Sequence, residues 1–292
     1  MTNSAKGPII AVLYSAGFWG LAWLPLRLLQ GQGLSGIWIT FFAYFLSLPL
    51  VLTLSRSSRG LLIAHRHWLL LLALSAGWAN LAFILAMLDG LVVRVLLLFY
   101  LSPLWAVLLA YPLLGESLRP HMAGVLMLAL AGVVLMLWRP GSGNLFQFSL
   151  VDGLALSAGL TFALNNVIVR RLPETAMAEK LFAAWTGIPL VALGGALVLG
   201  EPWPVAAAPA YVGAALLGTL GFYTAALCLY YGLTRMPVQR AAVLLLFELI
   251  MGAASSAWLA GEWLSPSELA GGGMIILAGY LVVRWEEATP SP

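Results

Sequence analysis

The sequence has few charged residues and a single cysteine. Asp, Glu, Lys and Arg make up 9% of its 292 residues, whereas a soluble domain carries about 25%. So few charges cannot cover a water-soluble surface of this size. The lone Cys228 excludes an intrachain disulfide framework. The small positive net charge of +3 fits membrane orientation, argued below, and we expect no nucleic-acid partner.

Other features are also missing. The sequence has no phosphate-binding loop, which argues against an ATP-driven pump. Its three histidines, His65, His67 and His121, fall in predicted loops, so we expect no intramembrane metal site and no cofactor. No Lys or Arg is predicted deep in a span, which disfavours phosphorylated substrates, since these need buried cationic groups.

Long apolar runs dominate what is present. Hydrophobic residues account for 62% of the chain, and a membrane helix needs about 20 of them in succession. The sequence predicts an all-α polytopic membrane protein with ten transmembrane helices. These are Pro8–Leu26, Gly36–Leu54, Trp68–Leu88, Leu91–Leu114, Met122–Trp138, Leu150–Val169, Leu181–Leu199, Pro209–Tyr231, Val238–Ala260 and Ser267–Val283.

The chain contains an internal repeat. The pattern Gly-Glu-x-Leu-x-Pro occurs at 115–120 and again at 261–266, and an Arg precedes each copy at the same distance, Arg94 and Arg240. Self-similarity of this kind indicates duplicated halves, here 1–146 and 147–292. Because each half has five spans, the second enters the membrane from the opposite side. We therefore expect two inverted-topology five-helix repeats around a central cavity.

The distribution of basic residues predicts the orientation. With both termini in the cytoplasm, eleven of the 14 Lys and Arg residues lie on the cytoplasmic side, as the positive-inside rule requires. Those eleven are Lys6, Arg56, Arg59, Arg66, Arg119, Arg170, Arg171, Lys180, Arg235, Arg240 and Arg284; the other three are Arg27, Arg94 and Arg139. We expect a multi-pass protein of a bacterial inner membrane.

Glu248 lies near the middle of the ninth predicted span, far from either end. An ionisable group at that depth costs about 2.5–3.5 kcal/mol on insertion unless it faces a cavity or a partner. A buried carboxylate favours its neutral form, so Glu248 is a candidate for substrate binding and for proton coupling. A structural hydrogen bond to a neighbouring helix is the alternative.

Pro103 occupies the middle of the fourth span, the counterpart of the ninth. A proline there removes a backbone donor and kinks the helix, so we predict a kink or gating position. When the two halves are aligned on Arg94 and Arg240, Ser102–Pro103 corresponds to Glu248–Leu249. The alternative is a packing kink that contacts no ligand.

Aromatic and amide residues occur at similar depths in other spans. One alternative is structural: Trp and Tyr residues commonly mark the membrane interface, and buried amides commonly form hydrogen bonds between helices. We predict instead that they line the substrate cavity together with Glu248. They are Trp19, Trp23, Trp78, Asn80, Tyr100, Trp105, Asn165, Asn166 and Tyr223.

At these residues the chain resembles the EamA family of the drug/metabolite transporter superfamily. The resemblance lies in Trp19–Gly20 with Arg27, in Leu101–Ser102–Pro103 and in the repeated Gly-Glu-x-Leu-x-Pro. It implies ten helices in inverted halves, cytoplasmic termini and metabolite export from a central cavity. Leu249 follows Glu248 where the family often has proline, so only the first repeat is expected to carry a strong kink. Within the family, the aromatic spans resemble the YddG-type aromatic amino acid exporters.

These observations predict a secondary transporter, not an enzyme. The expected role is export of small hydrophobic metabolites, foremost aromatic amino acids, by alternating access. A facilitator or a drug exporter of the same fold is the first alternative. A membrane-embedded enzyme or a lipid flippase ranks lower, because an enzyme would need paired catalytic groups. The expected partners are a small-molecule substrate and the lipid bilayer; the oligomeric state, with a monomer as one option, stays open.

Overall fold

The backbone of this chain is helical, as a lipid environment demands. The bilayer interior has no water to bond exposed backbone groups, and a helix satisfies them within one segment. The computed structural model describes residues 6–54, 65–89, 95, 98–115, 120–137, 149–259 and 266–287, and these contain no β-strand. Several predicted features lie outside the described residues: Arg56, Arg59, Arg94, Arg119 and Arg139, and the motif residues 116–119 and 261–265.

We number the helices by the predicted span that each overlaps. α1, α8 and α9 are each divided into shorter segments, described where they matter. The helices are α1 Lys6–Gly31, α2 Gly36–Leu54, α3 Arg66–Asp89, α4 Ser102–Leu114, α5 Pro120–Leu137, α6 Leu150–Arg171, α7 Met177–Leu199, α8 Ala208–Leu233, α9 Val238–Leu245 with Phe247–Leu259, and α10 Pro266–Glu287.

Five of these helices are long and apolar enough to cross a membrane: α1, α3, α6, α7 and α8. Four of the others, α2, α5, α9 and α10, contain shorter apolar stretches, such as Gly36–Val51 in α2 and Met122–Gly132 in α5. Large apolar side chains are exposed on the outside of the bundle, among them Val198 and Trp258, each 86% exposed. An exposed apolar surface of this extent fits contact with lipid.

Local sequence signals explain several helix ends. Ser149 begins α6 with a capping box, in which its side chain accepts from the Asp152 backbone while the Asp152 carboxylate accepts from Ser149. Gly115 ends α4 and Gly200 ends α7, with φ angles of 70° and 65°. Such left-handed backbone suits glycine because it has no Cβ. The first repeated Gly-Glu pair thus begins at the end of α4.

The helix contacts follow the internal repeat. The main pairs are α1 with α8 and α9, and α6 with α3 and α4; α2 packs on α7, and α5 packs on α10. The repeat relates each helix of the first half to the helix five numbers later, for example α1 to α6. When related helices are exchanged, every one of these pairs becomes another of them or stays the same pair. The two halves of the chain therefore take part in equivalent helix contacts.

Close helix crossings also recur in both halves. A Cβ added to Gly187 of α7 would overlap the Ala73 carbonyl of α3, and one added to Gly218 of α8 would overlap the Ala43 carbonyl of α2. Small residues allow membrane helices to approach this closely. These two crossings are the α3–α7 and α2–α8 contacts, which the repeat relates to each other.

Segments predicted for the same side of the membrane lie at the same end of the bundle. Arg171 stacks over the ring of Trp68 at 4.7 Å and bonds the Leu113 carbonyl, while Arg170 donates to the carbonyl of Thr234. At the other end, the Trp38 indole donates to the Pro202 carbonyl at 2.8 Å. The contacts therefore agree with the sides that the basic residues assign.

Two basic residues depart from their predicted places. Lys180 was expected in a loop, but it lies in the first turn of α7, is completely buried and donates to the Val169 carbonyl at 3.1 Å. Arg240 was counted among the basic residues of the cytoplasmic side, yet it is 7% exposed. The fold of the bundle covers both side chains, which counting along the sequence does not show.

Candidate functional site

The helices of the fourth and ninth spans are interrupted at equivalent positions. In the fourth span, turn residues 100–101 precede the segment Ser102–Leu114; in the ninth, Leu246 separates Val238–Leu245 from Phe247–Leu259. Tyr100 and Leu246 are equivalent positions of the two halves, because they are as far apart in the sequence as Arg94 and Arg240. Hydrogen bonds with three-residue spacing replace the helical ones at both sites, from Leu101 to Leu98, from Leu246 to Val243 and from Leu249 to Leu246.

The turn in α9 forms although no proline follows Glu248. Whether the first repeat alone carries a strong kink stays a prediction. Pro103 is the second residue of Ser102–Leu114, where a proline loses no helical hydrogen bond. It therefore begins a helix segment, and the interruption lies just before it.

A small cavity lies where the two interruptions meet α6. The empty volume of the cavity is about 300 Å³ when the part open to the outside is included. Inside the cavity there is room for one group about the size of a water molecule. Its polar lining comes from three helices: Tyr100 and Ser102 of the fourth span, Asn166 of α6 and Glu248 of α9. The complete lining is Phe99, Tyr100, Ser102, Ala106, Phe162, Asn166, Leu245, Leu246 and Glu248.

One polar group of this cavity has no partner. The Tyr100 hydroxyl is buried and interacts with the Glu248 carboxyl, whereas the Asn166 side-chain oxygen is buried and forms no hydrogen bond. Their residues are 3% and 4% exposed. A buried polar atom without a partner is rare and costs about 1–3 kcal/mol. An arrangement of this kind suits a ligand that supplies the missing bond.

An aromatic cluster occupies a second region of the interior. Phe222 of α8 stacks between Trp19 and Tyr44, with ring centroids 5.0 and 5.1 Å away and planes 13° from parallel in both pairs. Trp185 of α7 contacts Tyr44 at 4.9 Å and Tyr223 at 5.6 Å. We call these residues the aromatic cluster: Trp19, Tyr44, Trp185, Phe222 and Tyr223.

Two asparagine side chains in this region form hydrogen bonds with tyrosines. The Tyr44 hydroxyl donates to the Asn80 side-chain oxygen at 2.7 Å, and Asn80 donates onward to the Ala76 carbonyl. Asn165 and the Tyr230 hydroxyl are 3.3 Å apart, and the hydroxyls of Tyr44 and Tyr230 are near enough to interact electrostatically. The aromatic cluster thus has a polar edge of two amides and two phenols.

The structure divides the predicted site residues among these places. Tyr100, Asn166 and Glu248 meet in the cavity, whereas Trp19, Asn80 and Tyr223 belong to or adjoin the aromatic cluster, and Asn165 bonds Tyr230. Phe162 packs against the apolar residues of both regions and connects them.

The three remaining predicted residues lie elsewhere. Trp23 donates to the Ser255 hydroxyl at 3.0 Å, with Arg27 over its ring. Trp78 is 40% exposed and donates to the Ser157 hydroxyl. Trp105 packs on alanines of α4 and α6.

Sequence reasoning missed Tyr44, Trp185 and Tyr230. Tyr44 and Trp185 lie at mid-span in α2 and α7, and neither helix supplied a predicted site residue. The same depth rule that selected Tyr100 and Tyr223 would have found Tyr44 and Trp185. The described residues contain no group of three or more His, Cys, Asp and Glu side chains that could hold a metal ion.

The sequence of each half matches one protein family. The EamA-like transporter family matches residues 6–138 and, separately, residues 149–284. The chain belongs to the EamA-like transporter family. It is a membrane transporter of the drug/metabolite type with two related halves, as the repeat predicted.

The solved structures add a match for the whole fold. A crystal structure titled only "Crystal structure of protein" aligns with 96% of this EamA-like chain and 99% of its own, with a TM-score of 0.73 and 18% identity. At that identity the likeness concerns the fold alone. Among proteins with curated descriptions, none matches this sequence.

Proposed function

We propose that this EamA-like transporter exports small hydrophobic metabolites, foremost aromatic amino acids, from the bacterial cytoplasm. The observation that carries the proposal is the aromatic cluster with its amide edge. Phe222 stacked between Trp19 and Tyr44 occupies the kind of space that an aromatic side chain of a substrate would take. Asn80 and Asn165 beside it supply neutral hydrogen-bond donors and acceptors for amino and carboxylate groups.

Transport would proceed by alternating access between the two halves. The protein would have both termini in the cytoplasm, and its ten helices would form two inverted repeats within the inner membrane. The interrupted α4 and α9 provide the site about which one half moves against the other, since interrupted helices mark binding sites in repeat transporters. Glu248, at that site, is the candidate for coupling to a cation gradient. One chain supplies all of these residues, so a monomer suffices for the mechanism.

The aromatic cluster is well packed and Phe222 is completely buried. A substrate ring therefore needs one cluster ring to move aside before it can bind. Phe222 is the best candidate, because it ends the π-helical segment Leu217–Phe222. Irregular helical turns of this type are common at functional sites.

Reconstitution into proteoliposomes tests the proposal. Uptake and efflux of labelled phenylalanine, tryptophan and threonine would be followed with and without imposed ion gradients. We expect movement of the two aromatic amino acids and little of threonine. Trp19→Ala should reduce that movement strongly, whereas Trp258→Ala, which removes a tryptophan 86% exposed to lipid, should leave it near the wild-type rate.

The same experiment separates the alternatives. Movement without any effect of a gradient would identify a facilitator. Equal movement of threonine, or movement of none of the three amino acids, would refute the proposed substrate class and favour a drug or other metabolite as cargo.

A further inference from the structure

The cavity at Glu248 has the composition of a cation site. Its lining includes the Glu248 carboxylate, the Ser102 hydroxyl, the Asn166 side-chain oxygen and the Tyr100 hydroxyl. The Asn166 oxygen has no hydrogen-bond partner, and the Tyr100 hydroxyl interacts with the Glu248 carboxyl. Carboxylate, amide and hydroxyl oxygens are the ligands of hard cations. Of the nine lining residues, none carries a positive charge.

Helix ends add to this arrangement. Leu245, the last residue of Val238–Leu245, and Leu246 both line the cavity, so the carboxyl end of that segment adjoins it. The Val243 and Leu246 carbonyls accept the bonds with three-residue spacing at this turn. Carbonyls at the ends of interrupted helices bind sodium ions in other transporters.

The summed charge at the cavity is negative. A helix end carries about half an elementary charge, positive at the amino end and negative at the carboxyl end. The amino ends at Ser102 and Phe247 are offset by the carboxyl ends at Phe99 and Leu245 and leave little net charge. The full negative charge of an ionised Glu248 exceeds that remainder, so a monovalent cation would be attracted.

The space is too small for an amino acid. The enclosed part has room for about one water-sized group, which fits a bare ion far better than a substrate with an aromatic ring. The aromatic cluster, in contrast, offers large apolar surfaces. The two regions therefore suit different ligands.

We propose that the cavity formed by Tyr100, Ser102, Asn166 and Glu248 binds a sodium ion at the junction of the two repeats. Asn166 and Ser102 would contribute ligands from α6 and α4, and Glu248 would neutralise the ion from α9. Because the ion would contact both halves of the protein, its binding would favour one arrangement of the halves over another. This inference goes beyond the proposed function and does not depend on the identity of the organic substrate.

Binding of radioactive sodium to the purified full-length protein in lipid nanodiscs tests the site directly. The assay contains no organic substrate, so a failure of the proposed transport function cannot affect it. We expect saturable binding that excess unlabelled sodium abolishes and that choline leaves intact. Glu248→Gln and Asn166→Leu should each weaken binding about 10- to 100-fold, the equivalent of losing one interaction with a charged group. Asn166→Asp, which keeps an oxygen ligand, should retain binding.

Glu201→Gln is the matched control, because Glu201 follows the end of α7 in a connecting segment and does not line the cavity. It should bind sodium like the wild type. Absence of saturable sodium binding in the wild type would overturn the proposal and leave a proton as the ion coupled through Glu248. Unchanged binding in a folded Glu248→Gln protein would also overturn it.

Discussion

Glu248 is the second residue of the segment Phe247–Leu259 and faces a cavity lined by three helices. The amino end of a helix stabilises a carboxylate, which helps to keep an acid inside an apolar bundle. Glu248→Gln preserves the shape of the side chain and removes its charge. We expect coupled transport of the labelled amino acids to fall by at least about tenfold, because one charged interaction is lost.

The measurement is the initial rate of transport in proteoliposomes, from mildly acidic to mildly alkaline pH. If Glu248 takes up protons during transport, the variant should also lose the pH dependence of the wild type. Glu201→Gln should show wild-type rates. A Glu248→Gln protein with wild-type rates at every pH would remove this residue from the mechanism.

Tyr44 shows how a single hydroxyl can fix a polar group inside the bundle. Its bond to Asn80 is short and part-buried, and Tyr44→Phe leaves the Asn80 oxygen without that donor. Interhelical hydrogen bonds in membranes contribute about 0.6 kcal/mol on average and up to about 1.7 kcal/mol. We expect a loss of stability in that range, measured by thermal unfolding in detergent.

Tyr14→Phe provides the comparison for this prediction. Tyr14 is 49% exposed and its hydroxyl bonds Thr224 at the outer surface, so its removal should change stability little. A larger effect from Tyr14→Phe than from Tyr44→Phe would show that the buried bond does not stabilise the bundle.

At the scale of elements, the close contact of α8 with α2 depends on one glycine. Gly218 lies in the π-helical segment Leu217–Phe222, directly against the Ala43 carbonyl. Gly218→Ala requires the two helix backbones to separate, since a backbone carbonyl cannot rotate away as a side chain can. Overpacking of this kind costs about 1–3 kcal/mol, so we expect a lower melting temperature and less folded protein.

Gly194→Ala makes the same chemical change in α7 where no other atom lies within 4 Å of the added methyl group. Alanine favours a helix by about 1 kcal/mol over glycine, so this variant should be as stable as the wild type or more so. Melting temperatures of both variants, measured in the same detergent, check the prediction. Equal stability of the two variants would argue against a close α2–α8 contact.

At the scale of the whole molecule, the two halves predict a defined placement of the loops. Gln32 follows α1, and Glu174 lies between α6 and α7; both residues are exposed. The distribution of basic residues assigns Gln32 to the outside and Glu174 to the cytoplasm. We expect a membrane-impermeant maleimide to label Gln32→Cys in intact cells and Glu174→Cys only after the membrane is opened.

Both substitutions would be made after Cys228, the only cysteine of the chain, is replaced by serine. The protein carrying Cys228→Ser alone should remain unlabelled under either condition. The reverse labelling pattern would invert the orientation, and labelling of both sites in intact cells would contradict inverted halves.

The sequence by itself determined the class of protein, the repeat and most of the helices. Apolar runs and scarce charge require membrane helices for a simple reason: an unpaired backbone group in lipid is too costly. Glu248 was also predictable, since a lone acid in an apolar run needs a cavity or a partner. Each of these inferences depends on the cost of placing one residue or one run in lipid, which neighbours in the fold alter little.

Only the tertiary structure decided which residues meet. Leu246 interrupts α9 although no proline lies next to it in the sequence. Lys180 is buried by neighbouring helices although its sequence context suggested a loop. Tyr44, Trp185 and Phe222 come from three helices and form one aromatic cluster. Helix rotation and the angle of approach set such contacts, and in a helix that is apolar on every side the sequence pattern cannot specify which face points inward.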